Sequence, residues 1–151
     1  MGFWGFGVLG FWGIKAGEGI EAGEGIEAGE GIEAGWDIKA GSGIKAGSGI
    51  KAGECIEAGG GIEAGWGIKA GSGIKAGWGI KAGEGIEAGW DIKAGLMITA
   101  KTIQTTYRIF AGLCICKNPT DAETEIRCEK LIQGTVAFGK LVPKMRSLCN
   151  Q

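Results

Sequence analysis

Hydrophobic and polar positions repeat with a period of six over more than half of this chain. From Ile14 to Ile98 every sixth residue is isoleucine, and in all but the last copy the hexad I-x-A-G-x-G has Ala third and Gly fourth. Six is not a multiple of the helical 3.6, and each glycine would cost a helix about 1 kcal/mol. Strand alternation instead places Ile and Ala on one face and the residue between them on the other. Each hexad is therefore predicted to form one short strand and a corner, with glycine supplying positive φ at the corner.

The charged residues between Ile and Ala indicate how many hexads make one coil. With three hexads per coil, each charge stacks on the equivalent position three hexads later, and nine of eleven stacked pairs have opposite signs. Four hexads per coil give four opposite pairs of ten, and two hexads give eight of twelve. Three hexads per coil fit best, and the resulting charge columns oppose a slip in register.

The hexads, as in Ile38–Gly43 and Ile68–Gly73, resemble those of the hexapeptide-repeat proteins, whose fold is a left-handed parallel β-helix. The resemblance covers residues 14 to 102. It implies an all-β, left-handed triangular solenoid. With three hexads per coil, the array makes about five coils.

The regions on either side of the hexads differ from them in sequence. Residues 1–13, MGFWGFGVLGFWG, predict a degenerate apolar coil or cap before the hexad solenoid of residues 14–102. Residues 103–151 predict a β-rich C-terminal cap. Within this cap, Thr120–Glu123 are expected to form a short helical turn, and EIRCEKL and GTVAFGKLV a hairpin joined by residues 132–134.

Composition excludes several classes of function. Lys plus Arg is 16 and Asp plus Glu is 17, so a net charge of −1 disfavours general nucleic-acid binding. The apolar N-terminal segment is shorter than the ~20 residues that span a bilayer and lacks the features of a signal peptide, so we expect a cytoplasmic protein.

Catalysis, cofactors and metals are not expected. Acyltransferases of the hexapeptide-repeat family use a catalytic histidine and its carbonic anhydrases hold zinc with three, but this chain has no histidine. Four of its five cysteines, Cys114, Cys116, Cys128 and Cys149, would in principle make a thiolate zinc site. Because C-x-C lacks the usual ligand spacing, reduced thiols are the simpler interpretation.

The fifth hexad position, at the outward corner, is the most variable. Trp36, Trp66, Trp78 and Trp90 occupy it, and they either shield the corner or anchor an interface, where tryptophan is enriched. Phe11 and Trp12 close the apolar N-terminal segment, which is a second candidate contact surface. We take these six residues as the candidate binding residues.

The tail carries a second resemblance. Together with the hexads, Arg108–Cys114 and Cys128–Leu141 resemble segments of small uncharacterised proteins of bacteria and their phages. This resemblance implies a phage or mobile-element accessory protein that occupies a macromolecule in the cytoplasm of a bacterial host, as anti-CRISPR and other anti-defence inhibitors do. The leading hypothesis is therefore a non-catalytic solenoid with an unidentified protein partner. The alternatives are a scaffold that self-assembles through its apolar N-terminal end and, third, an enzyme.

Overall fold

The computed structural model describes the backbone of residues 3–5, 8–10, 12–114 and 118–143, and side chains from residue 12 onward within these ranges. The described residues form 21 strands and one 3₁₀ turn. The strands are β1 (Phe3–Gly5), β2 (Val8–Gly10), β3 (Ile14–Ala16), β4 (Ile20–Ala22), β5 (Ile26–Ala28), β6 (Ile32–Ala34), β7 (Ile38–Ala40), β8 (Ile44–Ala46), β9 (Ile50–Ala52), β10 (Ile56–Ala58), β11 (Ile62–Ala64), β12 (Ile68–Ala70), β13 (Ile74–Ala76), β14 (Ile80–Ala82), β15 (Gly85–Ala88), β16 (Ile92–Ala94), β17 (Ile98–Thr99), β18 (Thr102–Phe110), β19 (Glu125–Cys128), β20 (Lys130–Phe138) and β21 (Lys140–Pro143).

The strands stack into a parallel β-solenoid with three strands in each coil. Every third strand pairs in parallel with the next, so that Ile56 lies between Ile38 and Ile74, each three hexads away. Face 1 contains β1, β4, β7, β10, β13 and β16, and face 3 contains β3, β6, β9, β12 and β15. Face 2 runs from β2 to β21, and β18 joins face 1 to face 3. The all-β solenoid and its period of three hexads are confirmed, and the left-handed winding stays a prediction.

The number of coils is larger than the hexad count indicates. The strands make about seven coils rather than five, because β1 and β2 add strands before the first hexad and β18 to β21 continue the stack after the last one. Coil geometry thus persists where the hexad pattern is lost.

The predicted C-terminal hairpin is wrong. Residues 130–138 form the single strand β20, which pairs in parallel with β18, and β21 pairs in parallel with β19. Gly134 and Gly139, with φ of 118° and 107°, allow the chain to turn around the solenoid here. This path packs Leu131 and Val136 against the core. If the segment formed a hairpin away from the solenoid, these two side chains would not cover the core there.

The helical turn of the tail is a 3₁₀ turn, Asp121–Thr124. The Thr120 amide donates a hydrogen bond of 2.9 Å to Glu123 Oε2 at its start. Within the described part of the chain, no helix is long and apolar enough to cross a membrane.

The core is a column of isoleucine and alanine. From Ile20 onward the first-position isoleucines are at most 1% exposed, and the third-position alanines lie beside them. After the hexads the column continues through Ile103, Ile109, Ala111 and Ile126. Hydrophobic burial, the main stabilising contribution, is thus nearly the same from coil to coil between Ile20 and Ile98.

The fourth-position glycines are required for a reason other than the one predicted from the sequence. Among the described residues, positive φ occurs only at Gly112, Gly134 and Gly139, none of which belongs to a hexad. A Cβ at Gly53 would instead lie 1.8 Å from the carbonyl oxygen of Gly35 in the preceding coil. The corner glycine is fixed by close approach between coils, and the prediction of positive φ is corrected.

Candidate interaction surface

Fifth-position residues form three straight edges along the solenoid. Along each edge the amide of every residue after the first donates to the carbonyl oxygen of the residue one coil earlier; Trp36 N to Glu18 O, for example, is 3.2 Å. Edge 1 contains Glu18, Trp36, Glu54, Ser72, Trp90 and Tyr107; edge 2 contains Glu24, Ser42, Gly60, Trp78 and Leu96; edge 3 contains Trp12, Glu30, Ser48, Trp66, Glu84 and Lys101. Because the backbone spacing is fixed, each step along an edge is one strand separation, about 4.8 Å.

The five tryptophans whose side chains the structure describes all lie on these edges and are largely exposed. Trp36 and Trp90 share edge 1, Trp12 and Trp66 share edge 3, and Trp78 lies on edge 2. Their exposed fractions run from 61% at Trp90 to 77% at Trp12. More than half of the surface of each of these side chains is therefore open to solvent. The fold therefore aligns two pairs of the predicted residues along edges 1 and 3, with three coils between the members of each pair, and leaves Trp78 alone on edge 2.

Tyr107 extends edge 1 and was not predicted from the sequence. Its amide donates to Trp90 O, its side chain is 58% exposed, and Thr105 Oγ1 also hydrogen-bonds to Trp90 O. Tyr107 comes one position earlier in the chain than the hexad period would place it, so counting by hexads misses it. Aligning Ile103 and Ile109 with the first-position isoleucines of the preceding coil would have placed Tyr107 on edge 1.

Face 1 changes from charged to aromatic toward the C-terminal end of the described chain. Its outward column contains Lys75, Lys93, Phe110 and Phe138 in successive coils. Lys93 Nζ lies 5.6 Å from the centroid of the Phe110 ring, within cation–π range. Phe138 is 49% exposed, so apolar surface extends from edge 1 onto this face.

Two aspartates hold edge 1 in place. Asp37 and Asp91 directly follow the two tryptophans, and Asp37 Oδ1 accepts a hydrogen bond of 2.9 Å from the Cys55 amide in the next coil. Asp91 Oδ1 accepts one of 3.0 Å from the Arg108 amide. Partial burial raises the pKa of Asp37, but the Cys55 amide and Lys39 outweigh it and leave the pKa below its usual value. Both aspartates thus fix the backbone beside a tryptophan.

The lysine and glutamate columns on the faces form ion pairs between coils. Lys75 Nζ lies 2.6 Å from Glu57 Oε1, Lys69 Nζ 3.0 Å from Glu87 Oε1, and Lys81 Nζ 3.2 Å from Glu63 Oε1. Hydrogen bonding and attraction from Lys15, and then from Lys51, lower the pKa of Glu33. These contacts pair charged side chains of the faces with one another within the molecule. The edges, which carry the exposed tryptophans, are therefore the more distinctive surface.

Shallow grooves run along the solenoid beside the edges. One groove of about 850 Å³ follows the sixth-position glycines from Gly13 to Gly85, with Glu30 and Trp66 on one side and Lys51 and Lys69 on the other. A second, of about 580 Å³, follows Gly25 to Gly79 between edge 2 and face 2. Their floors are backbone, and they are open along the surface of the solenoid.

The remaining sequence candidates are placed only in part. Phe11, Cys116 and Cys149 lie outside the described residues. Cys114 is half-buried and Cys128 is buried, and burial raises the pKa of the Cys128 thiol, which disfavours the thiolate form that binds metals. Among the described residues, no group of three or more cysteine, aspartate or glutamate side chains is arranged to hold a metal ion.

Comparisons of this chain with protein-family models, with curated protein sequences and with solved structures find no match.

Proposed function

We propose that this chain is a non-catalytic binding protein that presents its edge tryptophans to a protein partner. The observation that carries the proposal is the exposure of the five edge tryptophans, 61% to 77%, on a solenoid whose core of isoleucine and alanine does not include them. Tryptophan is among the residues that contribute most to protein interfaces. A large aromatic side chain without a role in the core is best explained by a contact with another molecule.

The solenoid suits this role because it holds its edges rigidly. Backbone hydrogen bonds between successive edge residues, such as Glu54 N to Trp36 O at 3.0 Å, fix the spacing of the aromatic side chains. Pre-organised anchors lose less conformational entropy on binding than anchors on flexible loops. The five glutamates on the edges add negative charge beside the tryptophans, which favours a partner surface with basic groups.

The resemblance of the hexads and tail to small uncharacterised proteins of bacteria and their phages guides the search for the partner. We propose that the chain acts in the cytoplasm of a bacterial host as a mobile-element accessory protein, and that it occupies a component of a defence system. This identification of the partner class rests on the resemblance, whereas the binding surface rests on the exposed tryptophans.

A self-assembling scaffold is the second candidate. Its support is the end of the stack, where β1, β2 and β3 each pair with a neighbouring strand on one side only among the described residues. An unpaired strand edge is a template for pairing with another chain. In this case the apolar N-terminal segment, rather than the edges, would make the contact.

Affinity capture from bacterial lysate tests the binding proposal. The bait proteins are wild type, Trp66→Ala and Trp78→Ala, with Ser48→Ala and Ser42→Ala as controls at the same hexad position on the same two edges. Because single interface tryptophans commonly contribute about 2 kcal/mol or more to binding, at least one tryptophan variant is expected to lose a protein that both serine variants retain. Retention of every captured protein by both tryptophan variants contradicts the role of Trp66 and Trp78 as anchors.

A plaque assay tests the class of partner. Bacteria with defined defence systems would express wild type or the tryptophan variant that lost capture, and would then be infected with a phage that these systems restrict. Wild type is expected to restore plaques in at least one strain and the variant is not. Equal plating in all strains with and without the protein contradicts the anti-defence role and leaves the binding result unaffected.

A further inference from the structure

Edge 1 presents nearly the same order of side-chain types in either direction along the solenoid axis. Its central four residues are Trp36, Glu54, Ser72 and Trp90, with one coil between neighbours. The two tryptophans also have equivalent surroundings, since residues 31–41 and 85–95 are identical in sequence, GIEAGWDIKAG. Both are followed by an aspartate that binds the backbone amide of the next coil. Two equivalent aromatic contacts therefore lie three coils apart, roughly 14 Å, on one edge.

We propose that edge 1 is a self-association surface on which a second copy of this chain docks antiparallel, about a two-fold axis between Glu54 and Ser72. In this arrangement Trp36 of each copy contacts Trp90 of the other. The Glu54 carboxylate accepts a hydrogen bond from the Ser72 hydroxyl of the second copy, and the reverse pair forms by symmetry. Such an interface is isologous, which is the usual form of a two-fold dimer.

The charges on edge 1 select the antiparallel arrangement over the parallel one. In a parallel dimer with the edges in register, Trp36 would meet Trp36, but Glu54 would meet Glu54 and the two carboxylates would repel each other. Antiparallel docking places a hydroxyl opposite each carboxylate and an indole opposite each indole. It also places Tyr107 opposite Glu18, and Glu57 of face 1 at the level of Lys75 of the second copy. Electrostatic complementarity of this kind fixes orientation more than affinity.

The other two edges fit a second copy less well. Edge 2 has only Trp78, so reversal does not place an aromatic side chain opposite it. Edge 3 contains Trp12, Glu30, Ser48 and Trp66 in the same order, but its two tryptophans stand in different local sequences. Edge 1 also carries a third exposed aromatic residue, Tyr107, next to Trp90. Edge 2 is therefore an internal control.

The contact area indicates a weak dimer. An aromatic side chain buries about 150–250 Å² when fully covered, and each copy contributes Trp36, Trp90 and Tyr107, which are 58% to 63% exposed. The total for both copies falls at or below the lower end of stable interfaces, about 1,200 Å². The dimer should dissociate on dilution.

Analytical ultracentrifugation of the purified full chain tests the proposal, from about 10 µM to about 1 mM protein, the range expected for a small interface. Wild type is expected to shift from monomer to dimer across this range. Trp36→Ala and Trp90→Ala each alter both symmetric aromatic contacts and should weaken association at least tenfold, whereas Trp78→Ala should not change it. Circular dichroism spectra would confirm that each variant keeps the fold.

A substitution that strengthens association tests the antiparallel register. Ser72→Lys places an ammonium group opposite Glu54 of the second copy twice in each dimer, and the dissociation constant should fall several-fold. Ser42→Lys, the same change on edge 2, should leave the dissociation constant unchanged. Wild type that remains monomeric at all concentrations overturns the proposal. So does association that survives both edge 1 tryptophan variants, or that Ser72→Lys leaves unaltered. The test uses only the purified chain, so its failure leaves the proposed binding of another protein standing.

Discussion

At the scale of single residues, the hexad separates positions that the backbone fixes from positions that it leaves open. A Cβ at the fourth-position glycines from Gly35 to Gly95 would lie about 2 Å from a carbonyl oxygen in the preceding coil, which real side chains cannot do. At the sixth position a Cβ on Gly43 would lie 3.3 Å from the nearest backbone atom. Larger residues are accommodated there, including Asp37 and Cys55. The fifth position points away from the coil and accepts residues as different as Gly60 and Trp78.

The close approach of coils predicts a large difference between two glycines at the same hexad position. Gly53→Ala should lower the free energy of unfolding by about 3 kcal/mol or more, because the methyl group overlaps Gly35 O. Gly17→Ala should be neutral or stabilising by up to about 1 kcal/mol, since no atom lies within 4 Å of its Cβ position. Urea denaturation of the two variants measures both values. Equal destabilisation would contradict the steric explanation.

At the scale of strands, charge order supports the register in which coils stack. Successive outward residues pair between neighbouring strands, as with Lys15 Nζ and Glu33 Oε2 at 3.4 Å. Exposed pairs of this kind contribute only about 0.2–1 kcal/mol each. Lys51 and Lys69 are neighbours in adjacent coils and carry the same charge. Each forms an ion pair with a glutamate on its other side, Lys51 with Glu33 and Lys69 with Glu87. At the second like-charged step, between Lys75 and Lys93, Lys75 pairs with Glu57 and Lys93 with Asp91, so each of these neighbouring lysines has an acidic partner elsewhere.

These columns predict a dependence of stability on pH. Lys15 and Lys51 lower the pKa of Glu33 below its ordinary value of 4.5 in the folded state. Glu33 therefore contributes stability above its unfolded pKa, and the contribution is lost as the pH falls through the lower folded value. Glu33→Gln should reduce the stability difference between about pH 7 and about pH 3, measured by urea unfolding, more than Glu24→Gln on edge 2 does. An equal effect of both substitutions would contradict the role of the Glu33 column.

At the scale of the whole molecule, the hexads predict the solenoid well but not where it ends. The period of six, the inward Ile and Ala and the register of three hexads follow from the sequence because every coil repeats the same local geometry. The last coils keep this geometry with residues such as Thr105 and Val136, where no pattern is visible. Parallel pairing of β20 with β18 depends on the preceding coil as a template, and this information is not local in sequence. Counting hexads therefore gives too few coils, and the local pattern of the tail predicts a hairpin that does not form.

The candidate surface, like the fold, is predictable from the sequence within the hexads and not beyond them. The period of three hexads places Trp36 and Trp90 on one edge and Trp66 and Trp78 on the other two, and the structure has them there. Tyr107, Phe110 and Phe138 were missed because they follow the end of the repeat, where the coils no longer keep the period of three hexads. The exposure of the tryptophans also depends on how the corner is built, and only the structure provides it.

The central claim is that the edge tryptophans serve binding and not the stability of the solenoid. The most direct test is the free energy of unfolding of a variant with Trp36, Trp66, Trp78 and Trp90 all replaced by serine, the residue already found at this hexad position at Ser42, Ser48 and Ser72. Because exposed substitutions usually change stability by no more than about 0.5 kcal/mol each, the variant should lie within about 2 kcal/mol of wild type, measured on dilute monomer. A loss of about 4 kcal/mol or more would show that the tryptophans stabilise the corners and would contradict the claim.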